Sequence, residues 1–467
     1  MTRALVLALI AAAALPACTR MTPEQQAISD AATALGGRDR ILAAKTLVIE
    51  GGGTVYSFGQ DVVPGATGET YTVTNYRRAI DLASGHSQIE RTQTPNFAFY
   101  QGPQPQTQKQ RLDGWTQHPL LAVRAALDPK ATLANARTEG GQSLVDVTAA
   151  DGSMFTLAID ATSKLPTRAS IRQDDTNLGD TVQTVEYSAY QDAGGLKVPA
   201  TLVSRIDEFT TTRINVAKQT VDGDAGDLAA PAPAGGGQGG QGGGGQPPMV
   251  TATQVAPGIT LLAGGSHHSV LVEFTDHLML IEAPQNEGRA MAVMAKAREL
   301  VPNKPLTQLV NTHHHFDHSG GVRAAIAEGL AVITHQGNVA FFEDVAKRPH
   351  TLKPDALAKA GKPLVIEGIS DQKTFSDGKM TVTLFTESGQ HSQTMLYAYF
   401  PREKVLVEAD VYTPGSTVHM FAPSFLTELK QRNLRIDKVV PLHGPVATYA
   451  QFLKDAALPV PPVNAGA

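Results

Sequence analysis

Between Pro231 and Pro248 the chain reads PAPAGGGQGGQGGGGQPP, and no other stretch limits the fold as strongly. It holds no charge and no apolar side chain larger than alanine or proline, so it has nothing to bury in a core. A Gly-rich linker of this kind, 18 residues long, has a root-mean-square reach of about 23 Å, from roughly 5–6 Å times the square root of its length. The 467 residues therefore divide into two units, each long enough to bury a core of its own. The boundaries read as a leader at 1–18, a first domain at 22–228, the linker at 229–248, a second domain at 249–455 and a tail at 456–467. Gly235 to Gly240 has dinucleotide-loop spacing, but no strand leads in and no helix leads out, so nucleotide binding is not expected there.

The two units differ in pattern. Thr22, Pro23 and Gln25 form a helix start with a capping box, and Gly36-Gly37 should stop that helix before a second short one at about 38–44. From Lys45 to Val221, runs such as TVQTVEYSAY and TTRINVAKQTV alternate with period two, which predicts an antiparallel sheet interrupted by one helix near 119–127. Beyond the linker, strands at about 251–254, 259–263, 269–274 and 277–282 precede a helix at 287–300 and a buried strand at 306–311. Helices near 320–328 and 338–347 follow, then strands at 380–386, 394–400, 404–408 and 438–441, a mixture that implies sheets with helices packed outside. The class is α+β.

A charged fraction of 18 % and a net charge of -5, with no extended Lys/Arg run, argue against nucleic-acid binding. Cys18 is the only cysteine, so disulfides, thiol nucleophiles and thiolate metal ligands are excluded from both domains. The opening MTRALVLALIAAAALPA, with Arg3 ahead of the apolar run from Ala4 to Leu15, reads as a secretory signal. Leu15-Pro16-Ala17-Cys18 resembles a bacterial lipobox, which implies a lipid on Cys18 as the attachment to a membrane. Thr19 stands where an aspartate would signal inner-membrane retention, so the resemblance implies an outer-membrane lipoprotein facing the periplasm, with a soluble periplasmic protein as the alternative.

The chemistry concentrates in THHHFDHSGG, residues 312–321, which spends four of the chain's 14 histidines within six positions. Side chains two apart on an extended chain share a face, so His313, His315 and Asp317 are predicted to point one way and His314 and Phe316 the other, with His318 at the turn into a helix opened by Ser319-Gly320-Gly321. A helix start there would favour the Asp317 carboxylate. Imidazole and carboxylate together suit zinc, and less selectively iron or manganese. Three more polar residues stand at the ends of apolar strands: His391 in ESGQHSQTMLYAYF, Asp410 in KVLVEADVY and His443 in KVVPLHGP.

This constellation resembles the metallo-β-lactamase superfamily over residues 249 to about 455. The resemblance implies an αββα sandwich binding two zinc ions. His313, His315 and His391 would hold the first, Asp317, His318 and His443 the second, and Asp410 would bridge them. Glu282, at the end of LMLIE, falls where the family commonly has a structural aspartate, which implies support of the ligand loop. Aspartate at 410, where zinc β-lactamases have cysteine or serine, implies a hydrolase similar to glyoxalase II and the lactonases. A hydroxide bridging the metals would attack an ester, lactone or thioester, and Asp317 or Asp410 would pass the proton to the leaving group. A phosphodiesterase, a true β-lactamase, or a carrier lipoprotein in which the metal domain is only a scaffold are the alternatives. The first domain, with its turn Asp160 to Pro166, resembles the half-barrels of periplasmic lipoprotein carriers.

Four further sites have two readings. His267 and His268 lie at a glycine-bounded turn and either touch the small-molecule substrate or belong to a solvated loop. Tyr412 and His419 either line the pocket or pack within their loop. Trp115 reads as local core rather than a ligand platform, and Ser376 to Lys379 as an Asp-Gly turn rather than a serine acylase motif.

Overall fold

The computed structural model describes residues 21–65, 69–96, 106–112, 114–226, 228, 248–387, 389–416 and 419–457. The leader with Cys18, the linker residues 229–247 and the tail from 458 lie outside them.

Alternation over 45–221 produces an 11-stranded sheet whose strands all pair antiparallel, beginning with Thr46–Tyr56 and ending with Phe209–Val221, which lie side by side. Pro23–Ala34 is helical, and the Thr22 side chain and Gln25 satisfy each other's backbone amides as the capping box predicts. This helix and the helix Pro119–Leu127 place Ile28, Ala31, Leu121 and Val123 against Leu47, Ile49, Leu157 and Ile159 of the sheet. In the strand Thr46–Tyr56, Gly51 and Gly53 lie so close to its neighbours that added Cβ atoms would sit 2.3 and 1.9 Å from backbone oxygens. The pairing shifts register there, and the strand runs on to deliver the turn that follows Tyr56 to the C-terminal region.

The C-terminal region has a seven-stranded and a six-stranded sheet. Its buried strands are apolar on both faces, and the alternation sorts them between two cores. Val270, Val272, Met279 and Ile281 meet Val382, Leu384, Leu396 and Val407 of the other sheet. Leu271, Leu278 and Leu280 face the opposite way, against Ala290, Val293 and Met294 of the helix Glu287–Leu300 and Val322 and Ile326 of the helix Val322–Glu328. On the far side of the six-stranded sheet, Phe425 and Phe452 come from the helices Ala422–Gln431 and Tyr449–Ala456.

Leu278–Ile281 pairs parallel with Leu306–Val310, and Val405–Glu408 pairs parallel with Lys438–Pro441. Parallel neighbours end on the same side, so the loops after all four strands open on one edge of the region. The bonds from Leu396 N to Thr312 O and from His268 N to Leu442 O, both 2.8 Å, tie the two sheets together at that edge.

Candidate metal centre

The edge collects the residues that the histidine pattern pointed to. The chain does not stay extended through Asp317 as the alternation predicted. It turns at His315 into a one-turn helix, Phe316–Ser319, which carries Asp317 and His318. The amides of His318 and Ser319 both bond to His315 O, at 3.0 and 2.8 Å. Close packing enforces the turn: a Cβ on Gly320 would lie 2.2 Å from Gln285 O, and one on Gly321 would lie 2.4 Å from Ala290. Asp317 therefore reaches the site by a helical turn and not by strand alternation.

Two donor groups able to hold a metal result, each with one donor atom per residue and all its donors within 4.8 Å of one another: His313, His315, His391 and Asp410, and Asp317, His318 and His443 joined by His267. His314 is in neither. Its Nδ1 lies 3.2 Å from Thr394 Oγ1 and its ring stands edge-on to Phe341. Asp410, at φ +61, a left-handed conformation that Asp tolerates better than most residues, lies between the groups. Its Oδ2 is 3.2 Å from His313 Nε2, 2.8 Å from His391 Nε2 and 3.0 Å from His318 Nε2, while Oδ1 contacts His443 Nε2.

The outward nitrogens of four of the ligand rings are engaged, and this decides which nitrogen faces inward. His315 Nε2 donates to Asp61 O at 2.9 Å, leaving Nδ1 as the lone pair. His318 Nδ1 donates to Glu282 Oε2 at 3.1 Å and His443 Nδ1 to Ser266 O at 3.2 Å, so their Nε2 atoms face the centre. His313 Nδ1 is 3.0 Å from Thr312 Oγ1. Of three buried inward atoms, His315 Nδ1 makes no hydrogen bond among the described residues, and His313 Nε2 and His391 Nε2 face the Asp410 carboxylate. A buried polar atom left this way is costly unless something binds it, and three imidazole lone pairs converging near a carboxylate suit a zinc-like cation.

At His313 and His315 the electrostatics agree. Burial, with the charge of His318, holds the His313 imidazole down to about 3, and burial with its histidine neighbours holds His315 well below its ordinary value, so both rings are neutral donors at pH 7. Burial opposes charge on His318 too, but Asp410 and Glu282 outweigh it and raise its pKa well above the ordinary range. Burial would raise both aspartates. The His267 bond and the His318 charge outweigh it at Asp317, as His318, His391 and His443 do at Asp410, and both carboxyls stay well below the ordinary range.

Glu282 is fully buried at φ +71 and braces the ligand loop with both oxygens, Oε1 on Thr312 N at 2.6 Å and Oε2 on His318 Nδ1. Glu408 has a parallel duty. Its Oε2 accepts from Val411 N and Tyr412 N, at 3.0 and 3.2 Å, and holds the Asp410 turn. Burial and the charge of Asp410 raise its pKa well above the usual carboxylate range. Sequence reasoning missed Glu408, although a charged residue inside the apolar run VLVEA signalled it.

A cavity of about 640 Å³ opens over Asp317, His391, Asp410 and His443, and His268 and Phe421 line its walls. His267 goes deeper than either reading of its turn, with Nε2 3.1 Å from Asp317 Oδ2. Tyr412 and His419 do not line the cavity. Tyr412 is buried with its hydroxyl on Asp455 at 2.7 Å, and His419 is buried 5.1 Å from its ring. Trp115 packs at the edge of the N-terminal core with Nε1 on Asp151 Oδ2 at 2.9 Å. Sequence reasoning also missed Gln60, which lines the cavity and has no motif around it.

Two sheets that present imidazole and carboxylate groups on loops along one edge define a metal-binding domain of mixed α and β structure. Residues 262–443 match the family model described as the metallo-beta-lactamase superfamily, and this stretch is a domain of that superfamily, a hydrolase fold with His/Asp clusters able to bind metal. Similar solved structures include a metallo-beta-lactamase from Pontibacter korlensis, 18 % identical, covering 45 % of this chain and 98 % of its own at a TM-score of 0.35. One from Hirschia baltica is 15 % identical and covers 44 % of this chain and 96 % of its own, at a TM-score of 0.35. FIM-1 from Pseudomonas aeruginosa, in a mono-zinc form, is 18 % identical and covers 45 % and 94 %, at a TM-score of 0.34.

Proposed function

We propose that the chain is a dinuclear metal-dependent hydrolase of an ester, lactone or thioester, built on an αββα sandwich that follows a half-barrel-like β-domain. The observation that carries this reading is Asp410, whose one carboxylate contacts histidines of both ligand groups. When bound, two ions such as zinc, iron or manganese supply a water of lowered pKa as nucleophile and positive charge for the developing oxyanion. The protein does the rest. Asp61, Ser266, Thr312 and Glu282 aim four imidazoles inward, His267 steadies Asp317, and the cavity admits a substrate to the open side of the centre. Asp317 or Asp410 passes the proton to the leaving group.

The test is metal content after purification without chelator, then hydrolysis of ester, lactone, thioester, β-lactam and phosphodiester probes. Two ions per chain and loss of hydrolysis in His313→Ala and Asp410→Ala are expected. Activity that survives both substitutions would overturn the assignment. Cleavage of only the phosphodiester or the β-lactam would move the substrate class. Export with a lipid on Cys18, facing the periplasm from the outer membrane, is part of the same proposal. Cys18→Ser should shift the protein from the membrane fraction to the soluble fraction.

A further inference from the structure

The turn after Tyr56 belongs to the N-terminal sheet, yet its residues 58–62 lie against the metal loops. The Phe58 ring meets Phe316 edge-on, with centroids 5.2 Å apart. Gly59, at φ +80, lies so close to Phe316 that an added Cβ would be 2.6 Å from its ring. Three backbone carbonyls then bond to the ligand loops: Gly59 O to Phe316 N at 3.0 Å, Asp61 O to His315 Nε2 at 2.9 Å, and Val62 O to Gln393 N at 2.8 Å. Between them the Gln60 side chain enters the cavity, and its Nε2 donates to Asp317 Oδ1 at 2.7 Å.

We propose that this turn is a working part of the metal centre, with Gln60 as the positioning residue that holds Asp317 in place for the second ion. The inference rests on the two-ion reading above. Asp317 is held at both oxygens, Oδ2 by His267 of its own domain and Oδ1 by Gln60 of the N-terminal region. A carboxylate tied at both oxygens keeps one orientation, and neither bond uses all the lone pairs of its oxygen, so each oxygen can still ligate. Without Gln60, Asp317 is held on one side only and must be ordered when the ion binds. Loss of such an outer partner costs about 10- to 100-fold in metal affinity. The Asp61 carbonyl acts likewise on His315 through the main chain, where side-chain substitution does not reach it.

The experiment uses the full chain, stripped of metal and titrated with zinc against a chromophoric chelator, and repeated with cobalt to follow its visible absorption. Gln60→Ala removes the amide, and Gln60→Met fills the same space without a donor. Both variants should bind the first ion as the parent does and the second about 10- to 100-fold more weakly, with the melting of the metal-free protein unchanged. Parent-like second-ion affinity in either variant overturns the inference; in Gln60→Met alone it would show that filling space suffices. Equal weakening of both ions overturns it too, as a general loosening. Uptake of fewer than two ions by the parent overturns the two-ion reading and this inference with it.

Discussion

Glu282→Gln separates the support of a metal loop from its stability. The carboxylate accepts two bonds at a site with no solvent exposure, from Thr312 N and from His318 Nδ1. Glutamine has one carbonyl oxygen and can serve only one of these donors. With the oxygen toward Thr312, the amide NH₂ faces His318 Nδ1–H, and the ring must shift its proton to Nε2, the atom that faces Asp410. That tautomer has no inward lone pair, so the second ion should bind about 10- to 100-fold more weakly. The reverse orientation keeps the tautomer and sets the NH₂ against the Thr312 amide. Only this reverse orientation leaves a buried donor unsatisfied, at about 1–3 kcal/mol. For a region of this size that is about 2–4 °C of melting temperature per kcal/mol. Glu282→Ala abandons both donors and should cost about 3–5 kcal/mol. Zinc titration and calorimetric melting of metal-free protein measure the two effects separately. Second-ion affinity equal to the parent's together with an unchanged melting temperature in Glu282→Gln would refute the reasoning, because each orientation gives up one or the other.

Other perturbations have equally specific outcomes. Burial and Asp410 raise the Glu408 pKa and so favour its neutral carboxyl; Glu408→Gln should cost under about 1 kcal/mol in urea unfolding, whereas Glu408→Ala frees two amides and should cost about 2–5 kcal/mol. His267→Ala removes the second bond to Asp317 and should weaken the second ion about tenfold in zinc titration. His118 is buried on Gln219, and burial holds its pKa down to about 3. The unfolded chain protonates it near its ordinary value and the folded chain does not, so stability is lost as pH falls below about 6.5, at about 1.4 kcal/mol per pH unit. His118→Gln should flatten that slope between pH 6 and 4, and parallel unfolding curves would contradict it. With free zinc 100-fold above the dissociation constant, each ion stabilises by about 2.7 kcal/mol. Chelation should therefore lower the melting temperature, and this shift should shrink in Asp410→Ala.

Elements with a local signal were legible. The capping box at Thr22 and Gln25, the helix Glu287–Leu300 and the antiparallel run from Lys45 to Val221 stand where pattern put them. The strand Ala331–His335 and the helix Ala422–Gln431 were not anticipated: the first is a short apolar run without alternation, and the second follows a loop with no strong start signal. The extended reading of residues 313–317 failed because tertiary packing at Gly320 and Gly321 turns the chain earlier than local pattern suggests. Tyr412 follows Asp410 closely, yet it points into the core toward Asp455, which sequence spacing cannot reveal.

Residue type and order settled what chemistry the chain can attempt. A cysteine-free set of imidazoles and carboxylates at strand ends limits the site to a few metals, because ligand preference belongs to the side chain itself. Only the tertiary structure decided how that set is aimed. The proton on His318 answers to Glu282, the tautomer of His315 to the carbonyl of Asp61, and the orientation of Asp317 to Gln60, a residue 257 positions away. Hydrogen bonds act over about 3 Å in space whatever the separation along the chain, so the partners that orient a ligand leave no mark at the ligand's own place in the sequence.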